Sequence, residues 1–113
     1  MANPIVHFEI TGKDGKALQD FYQRAFGWEI DANNPRAYGR VSTGGSLAGG
    51  IGGVPEGHHW VTVYVEVPDL QAALDQIERL GGKTLMPITE VPGGPTMAQF
   101  QDPEGNMVGL LKA

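Results

Sequence analysis

The chain has 113 residues, a formal net charge of −5, eight Lys and Arg spread singly, and no cysteine. The length suits one domain with a real core. The lack of cysteine excludes disulfides, thiolate metal sites and a thiol nucleophile, and fits a cytoplasmic setting. No apolar run is long enough for a membrane span, and no basic stripe offers itself to nucleic acid, so neither is an expected partner.

The opening "MANPIVHFEI" lacks a basic segment followed by a long apolar stretch, so no signal peptide is expected. "IVHFEI" reads as a strand, with His7 and Glu9 on one face and Val6, Phe8 and Ile10 on the other. Residues 16–26, "KALQDFYQRAF", put Leu18, Phe21, Tyr22 and Ala25 on one helical stripe, with Asp14 as N-cap and Gly27 as stop. Strand-like runs follow at 28–31, 37–43 and 46–53. Within "TGGSLAGGIGG" no Lys-Ser/Thr pair completes a phosphate loop, so the run reads as a glycine-rich strand closely approached by a ligand or another backbone.

"VTVYV" opens a second strand, turning Val61, Val63, Val65 and Val67 toward the helices and Trp60, Thr62, Tyr64 and Glu66 the other way. Residues 70–80, "LQAALDQIERL", repeat the helical stripe behind Asp69, and Gly81-Gly82 ends it. Three further strands are expected at 84–91, 96–101 and 106–112, the last two joined by a "DPEGN" turn closed by a left-handed glycine.

These features recur at a fixed spacing. Val6 and Val61, Asp14 and Asp69, and Gly27 and Gly82 are each 55 apart. Such constancy points to a repeat. Each half reads βαβββ. The expected fold is α+β: two tandem modules, about 1–56 and 57–113, forming one domain. Its mixed sheet would have eight strands and a concave face, with the helices on the outer side.

"VHFEI" leading to "ALQDFYQRAFGW", then "WVTVYVEVPDLQAALDQIERLGGK" and "QFQDPEGNMVGLL", resemble the vicinal-oxygen-chelate superfamily, also called glyoxalase/bleomycin-resistance/dioxygenase. The resemblance implies a homodimer and a small organic ligand held in the concave sheet. In its metal-dependent members, ligands come from the first and last strand of each half. Here those positions are His7, Gly50, Thr62 and Gly109, one donor among four. As replacements, His58 lies too far along the strand and His59 points to the other face. No cofactor is therefore expected, and a divalent metal at His7 would be weakly held at most.

On this reading His7 and Glu9 are the candidate catalytic pair, or simply a histidine bonded to a carboxylate across the face. Tyr38, Arg40, Met97 and Gln99 are expected on the concave face with Trp60, Thr62 and Tyr64, as ligand-binding residues. Arg40 could anchor an anion or stand exposed at the rim. Two functions follow. One is ligand binding of the bleomycin-resistance type, without chemistry. The other is a glyoxalase-type lyase or isomerase, using His7 and Glu9 or a weakly held divalent metal.

Overall fold

The computed structural model describes residues 2–54, 56–57 and 59–113. His58, weighed above as a metal ligand, lies outside the described residues. The architecture is α+β, with eight strands in parallel and antiparallel pairings and two helices among the described residues. By contact the chain divides into two compact units. One comprises residues 7–62; the other comprises 63–113 together with 1–6.

In the first unit, β1 (Ile5–Gly12) is followed by α1 (Gly15–Phe26), β2 (Glu29–Asp31), β3 (Gly39–Ser42) and β4 (Ala48–Gly53). β1 runs parallel to β4, β4 antiparallel to β3, and β3 antiparallel to β2. The Asp14 carboxylate caps α1 by accepting from the amide of Ala17, and Gly27 ends it at φ 72°. A Cβ-bearing residue would be strained in that left-handed conformation. Ile10, Val41 and Ile51 form the core with Leu18, Tyr22, Trp28 and Phe8 packed around them.

The expected stripe of α1 is only partly buried. Leu18 and Tyr22 join the core, whereas Phe21 is 60 % exposed and Ala25 faces solvent. The buried side chain is Gln19, whose Nε2 donates to the carbonyls of Ile51 at 2.7 Å and Ala37 at 3.1 Å. With both amide hydrogens paired, a polar group is tolerated inside.

The second unit repeats the plan: β5 (Val61–Val67), α2 (Leu70–Arg79), β6 (Lys83–Glu90), β7 (Thr96–Gln101) and β8 (Met107–Lys112). Most of β5 lies here, although Val61 and Thr62 group with the first unit. Asp69 caps α2 as Asp14 caps α1, accepting from Ala72. Val67, Leu70, Leu74, Ala98 and Leu110 are the buried core. In the DPEGN turn, Asp102 accepts from the amides of Glu104 and Asn106 and from the Asn106 side chain, and Gly105 takes φ 94°. The bonds from Asn106 hold the Asp102 carboxyl below its ordinary range. β6 accommodates Pro87 because its described ladder partner is β7 alone and the register shifts on either side of Met86. One expectation fails on β5: Val61 is 77 % exposed and does not reach the core, whereas Val65 and Val67 do.

The repeat extends to strand register. Glu9 pairs with Gly50, which pairs with Arg40; Tyr64 pairs with Gly109, which pairs with Gln99. The offset is 55 on the parallel strand and 59 on the other two, so each unit sets the same three positions side by side.

Candidate functional site

In β1, Phe8 and Ile10 pack into the core, which leaves His7 and Glu9 on the opposite face. Across from Glu9 in β4 stands Gly50. The space above Gly50 is filled by Tyr38, whose hydroxyl a Cβ at position 50 would overlap outright. On the other side of the same strand, Phe8 fills the space above Gly49 in the same manner. The glycine run thus lets two aromatic rings lie against bare backbone from opposite faces.

Tyr38 precedes β3 instead of lying in a strand, and several contacts fix it. Asn34 brackets its backbone, Oδ1 accepting from the Tyr38 amide at 3.0 Å and Nδ2 donating to its carbonyl at 2.8 Å. Ala37 before it has φ 51°, strained for a residue with a Cβ, and its carbonyl is held by Gln19. The Tyr38 hydroxyl donates to Glu9 Oε2 at 2.8 Å and lies 3.1 Å from His7 Nε2. A phenol has one hydrogen, and Glu9 takes it. His7 must therefore present Nε2–H to the phenol oxygen, an assignment made from the network. The indole Nε1 of Trp60 donates to Glu9 Oε1 at 2.8 Å, so both carboxylate oxygens accept a hydrogen bond. Trp60 is anchored in turn, its amide donating to Thr11 Oγ1 and its carbonyl accepting from the Thr11 amide.

Burial lowers the pKa of His7 from 6.5, and the nearby Glu9 charge offsets this only in part. The imidazole is consequently neutral at pH 7. The four side chains form a chain from His7 through Tyr38 and Glu9 to Trp60. It can donate to and accept from a polar ligand beside aromatic surface.

Other residues singled out in the sequence fall as follows. Arg40 stands opposite Gly50 in β3, with its side chain exposed. Thr62 is 6 % exposed. In the second unit, Tyr64 is 3 % exposed and accepts from Gln99 Nε2 at 3.2 Å. Its ring covers Gly109, so a Cβ there would overlap it. Met97 is half-buried on β7. Tyr38 and Trp60 were singled out in the sequence, Tyr38 as a strand residue, without their link to Glu9, and Gln19 and Asn34 were passed over. The doubled glycines of β4 were the available signal, since they mark where a ring can lie.

The family model for the Glyoxalase/Bleomycin resistance protein/Dioxygenase superfamily matches residues 4–110. The chain belongs to that superfamily. It is 32 % identical over 115 aligned residues to "Putative glyoxylase CFP32" of Mycobacterium bovis and of Mycobacterium tuberculosis. The match covers 93 % of this chain and 44 % of each relative, so the chain spans less than half their length. Among solved structures, a superfamily member from Vibrio splendidus 12B01 superposes with TM-score 0.68 at 17 % identity, covering 99 % of this chain and all of that one. A hypothetical protein from Bacillus halodurans C-125 gives 0.75 at 10 % identity, covering 100 % and 96 %. A Streptomyces coelicolor methylmalonyl-CoA epimerase in complex with 2-nitronate-propionyl-CoA gives 0.66 at 17 % identity, covering 100 % and 99 %. These similarities show a shared fold.

Two of the four positions that the resemblance marks for ligands are Gly50 and Gly109, and a tyrosine ring lies over each. A third is Thr62, leaving His7 as the one ordinary donor among the four. Among the described residues, no group of three or more His, Cys, Asp and Glu side chains is arranged to hold a metal ion. Among the described residues, no helix is long and apolar enough to cross a membrane.

Proposed function

We propose that the protein binds a small organic ligand on the face formed by His7, Tyr38, Glu9 and Trp60, without a tightly held metal. One observation carries this reading: the Tyr38 hydroxyl sits over Gly50, bonded to Glu9 and against His7 Nε2. It fills the space a ligating carboxylate at position 50 would need. What results is an uncharged imidazole, a phenol and an indole around a carboxylate whose oxygens are already paired. Such a surface suits a flat ligand with a few polar atoms. Arg40 and Thr62 are proposed as further ligand contacts of the first unit, and Tyr64, Met97 and Gln99 as the ligand-contacting residues of the second. A cytoplasmic homodimer completes the proposal, supported by the cysteine-free sequence and by the pairing common among single-domain members of the superfamily.

A thermal-shift screen of aromatic and acidic metabolites tests the reading. At a hundredfold excess over Kd, a true ligand adds about 2.7 kcal/mol of stability. The gain should vanish in Glu9→Gln and Trp60→Phe. A ligand whose stabilisation needs added Ni²⁺ or Zn²⁺, or ignores both variants, would overturn it.

A second reading, a glyoxalase-type lyase or isomerase, draws support from the state of His7. A neutral imidazole can take a proton, and the hydroxyl linking it to Glu9 places a negative charge nearby to stabilise the imidazolium. Solvent deuterium entering the carbon next to a ligand's carbonyl, lost in His7→Gln, would favour this over binding alone.

A further inference from the structure

We infer that an open cavity at the start of α1 is an anion site, taking the phosphate end of an elongated small molecule. The cavity measures about 740 Å³ and lies within the first unit. Its charged lining is Lys13, Lys16 and Arg36 against the single carboxylate of Asp14. Three of the chain's eight cations thus line one cavity in a protein of net charge −5, Lys16 also lying 3.8 Å from the exposed carboxylate of Asp20. One oxygen of Asp14 is already engaged in capping Ala17. Among the described residues, Ala37 adds an apolar side chain, and Gly15 and Gly53 add backbone. No side chain fits between those two strands of backbone, since a Cβ on Gly15 would stand 2.6 Å from the Gly53 nitrogen. A cavity whose charged groups are three cations and one capping carboxylate favours an anion.

Arg36 gives the site its direction. Its guanidinium carbon lies 5.5 Å from the centroid of the Tyr38 ring. That ring is held at its backbone by Asn34 and at its hydroxyl by Glu9. A guanidinium resting on a fixed ring keeps its edge donors for a bidentate contact with phosphate oxygens. Tyr38 thereby stands between the cationic cavity and the His7–Glu9 face. A ligand reaching both would place its phosphate at Arg36 and its polar head at Tyr38. This joining of the two sites rests on the proposed function; the anion site itself does not.

Inorganic pyrophosphate, titrated into the ¹⁵N-labelled chain at constant ionic strength, is the test. Saturable shifts are expected at the amides of Gly15, Lys16, Ala37 and Gly53. Arg36→Gln and Lys13→Gln should each weaken binding about tenfold, as expected for loss of a charge-assisted contact. Lys83→Gln, on exposed β6 of the other unit, carries the same charge change and should leave the Kd unaltered. Both cavity variants replace exposed side chains, and unchanged spectra elsewhere report an intact fold. Shifts that fail to saturate, that spread over every lysine, or that respond equally to Lys83→Gln overturn the site. Pyrophosphate binding that survives in Tyr38→Phe while no organic ligand is found sinks the proposed function and leaves the anion site standing. An organic ligand at Trp60 with no pyrophosphate binding does the reverse.

Discussion

The Tyr38 hydroxyl occupies the space that any side chain on Gly50 would need. Tyr64 stands to Gly109 in the same relation in the second unit. Neither glycine is a turn residue; each is a strand position kept empty so that a phenol can lie on the backbone.

Gly50→Ala should therefore expel Tyr38 and break its bonds to His7 and Glu9 together. Overpacking of this kind costs about 1–3 kcal/mol, and urea denaturation should read a loss in that range. Gly109→Ala should cost a similar amount by displacing Tyr64. Gly50→Glu alone should create no metal site, because the phenol is in the way. A wild-type melting curve for Gly50→Ala would mean that Tyr38 moves aside freely.

His7 makes stability depend on pH. Burial depresses its folded pKa below the 6.5 of the unfolded chain, so the unfolded chain binds the proton more readily. The native state is favoured above pH 6.5, and this advantage is lost as the pH falls from 6.5 through the lower folded pKa. His7→Gln should flatten that part of the stability profile. Glu9→Gln should depress the His7 titration further, because the Glu9 charge partly sustains it. An NMR titration midpoint for His7 at or above 6.5 would contradict this account.

Gln19 is a structural link between α1, β4 and the loop carrying Tyr38. Gln19→Leu should leave the Ile51 and Ala37 carbonyls short of a donor, costing about 1–3 kcal/mol. It should also loosen Tyr38, detected as altered quenching of Trp60. Ala37→Gly should be neutral or stabilising at its φ of 51°, since glycine adopts that conformation without strain. A large loss from Ala37→Gly would show that the strain is not where the backbone places it.

The helices, their caps and the duplicated βαβββ plan were legible in the sequence because each has a local signature. Asp14 and Gly27 carry capping chemistry, and the constant spacing to Asp69 and Gly82 exposes the repeat. The side on which His7 and Glu9 fall was also legible from alternation alone. Tyr38 was harder. Strand alternation was expected to orient it, but it sits in the loop before β3, aimed by Asn34 and by a strained Ala37. Helical periodicity named Phe21 and passed over Gln19, because it counts apolar residues. A glutamine whose two hydrogens meet two buried carbonyls is invisible to it. Val61 misled similarly, a β-branched residue at the open start of a strand whose later valines reach the core.

The most direct test of ligand binding without a metal is calorimetric titration of a ligand from the screen. It would be made into chelator-stripped protein, the same protein resupplied with Ni²⁺ or Zn²⁺, and stripped Tyr38→Phe. The account predicts one Kd for the first two and binding about tenfold weaker in the variant, for one lost hydrogen bond to a charged network. Binding that disappears on stripping and returns with the metal would contradict it.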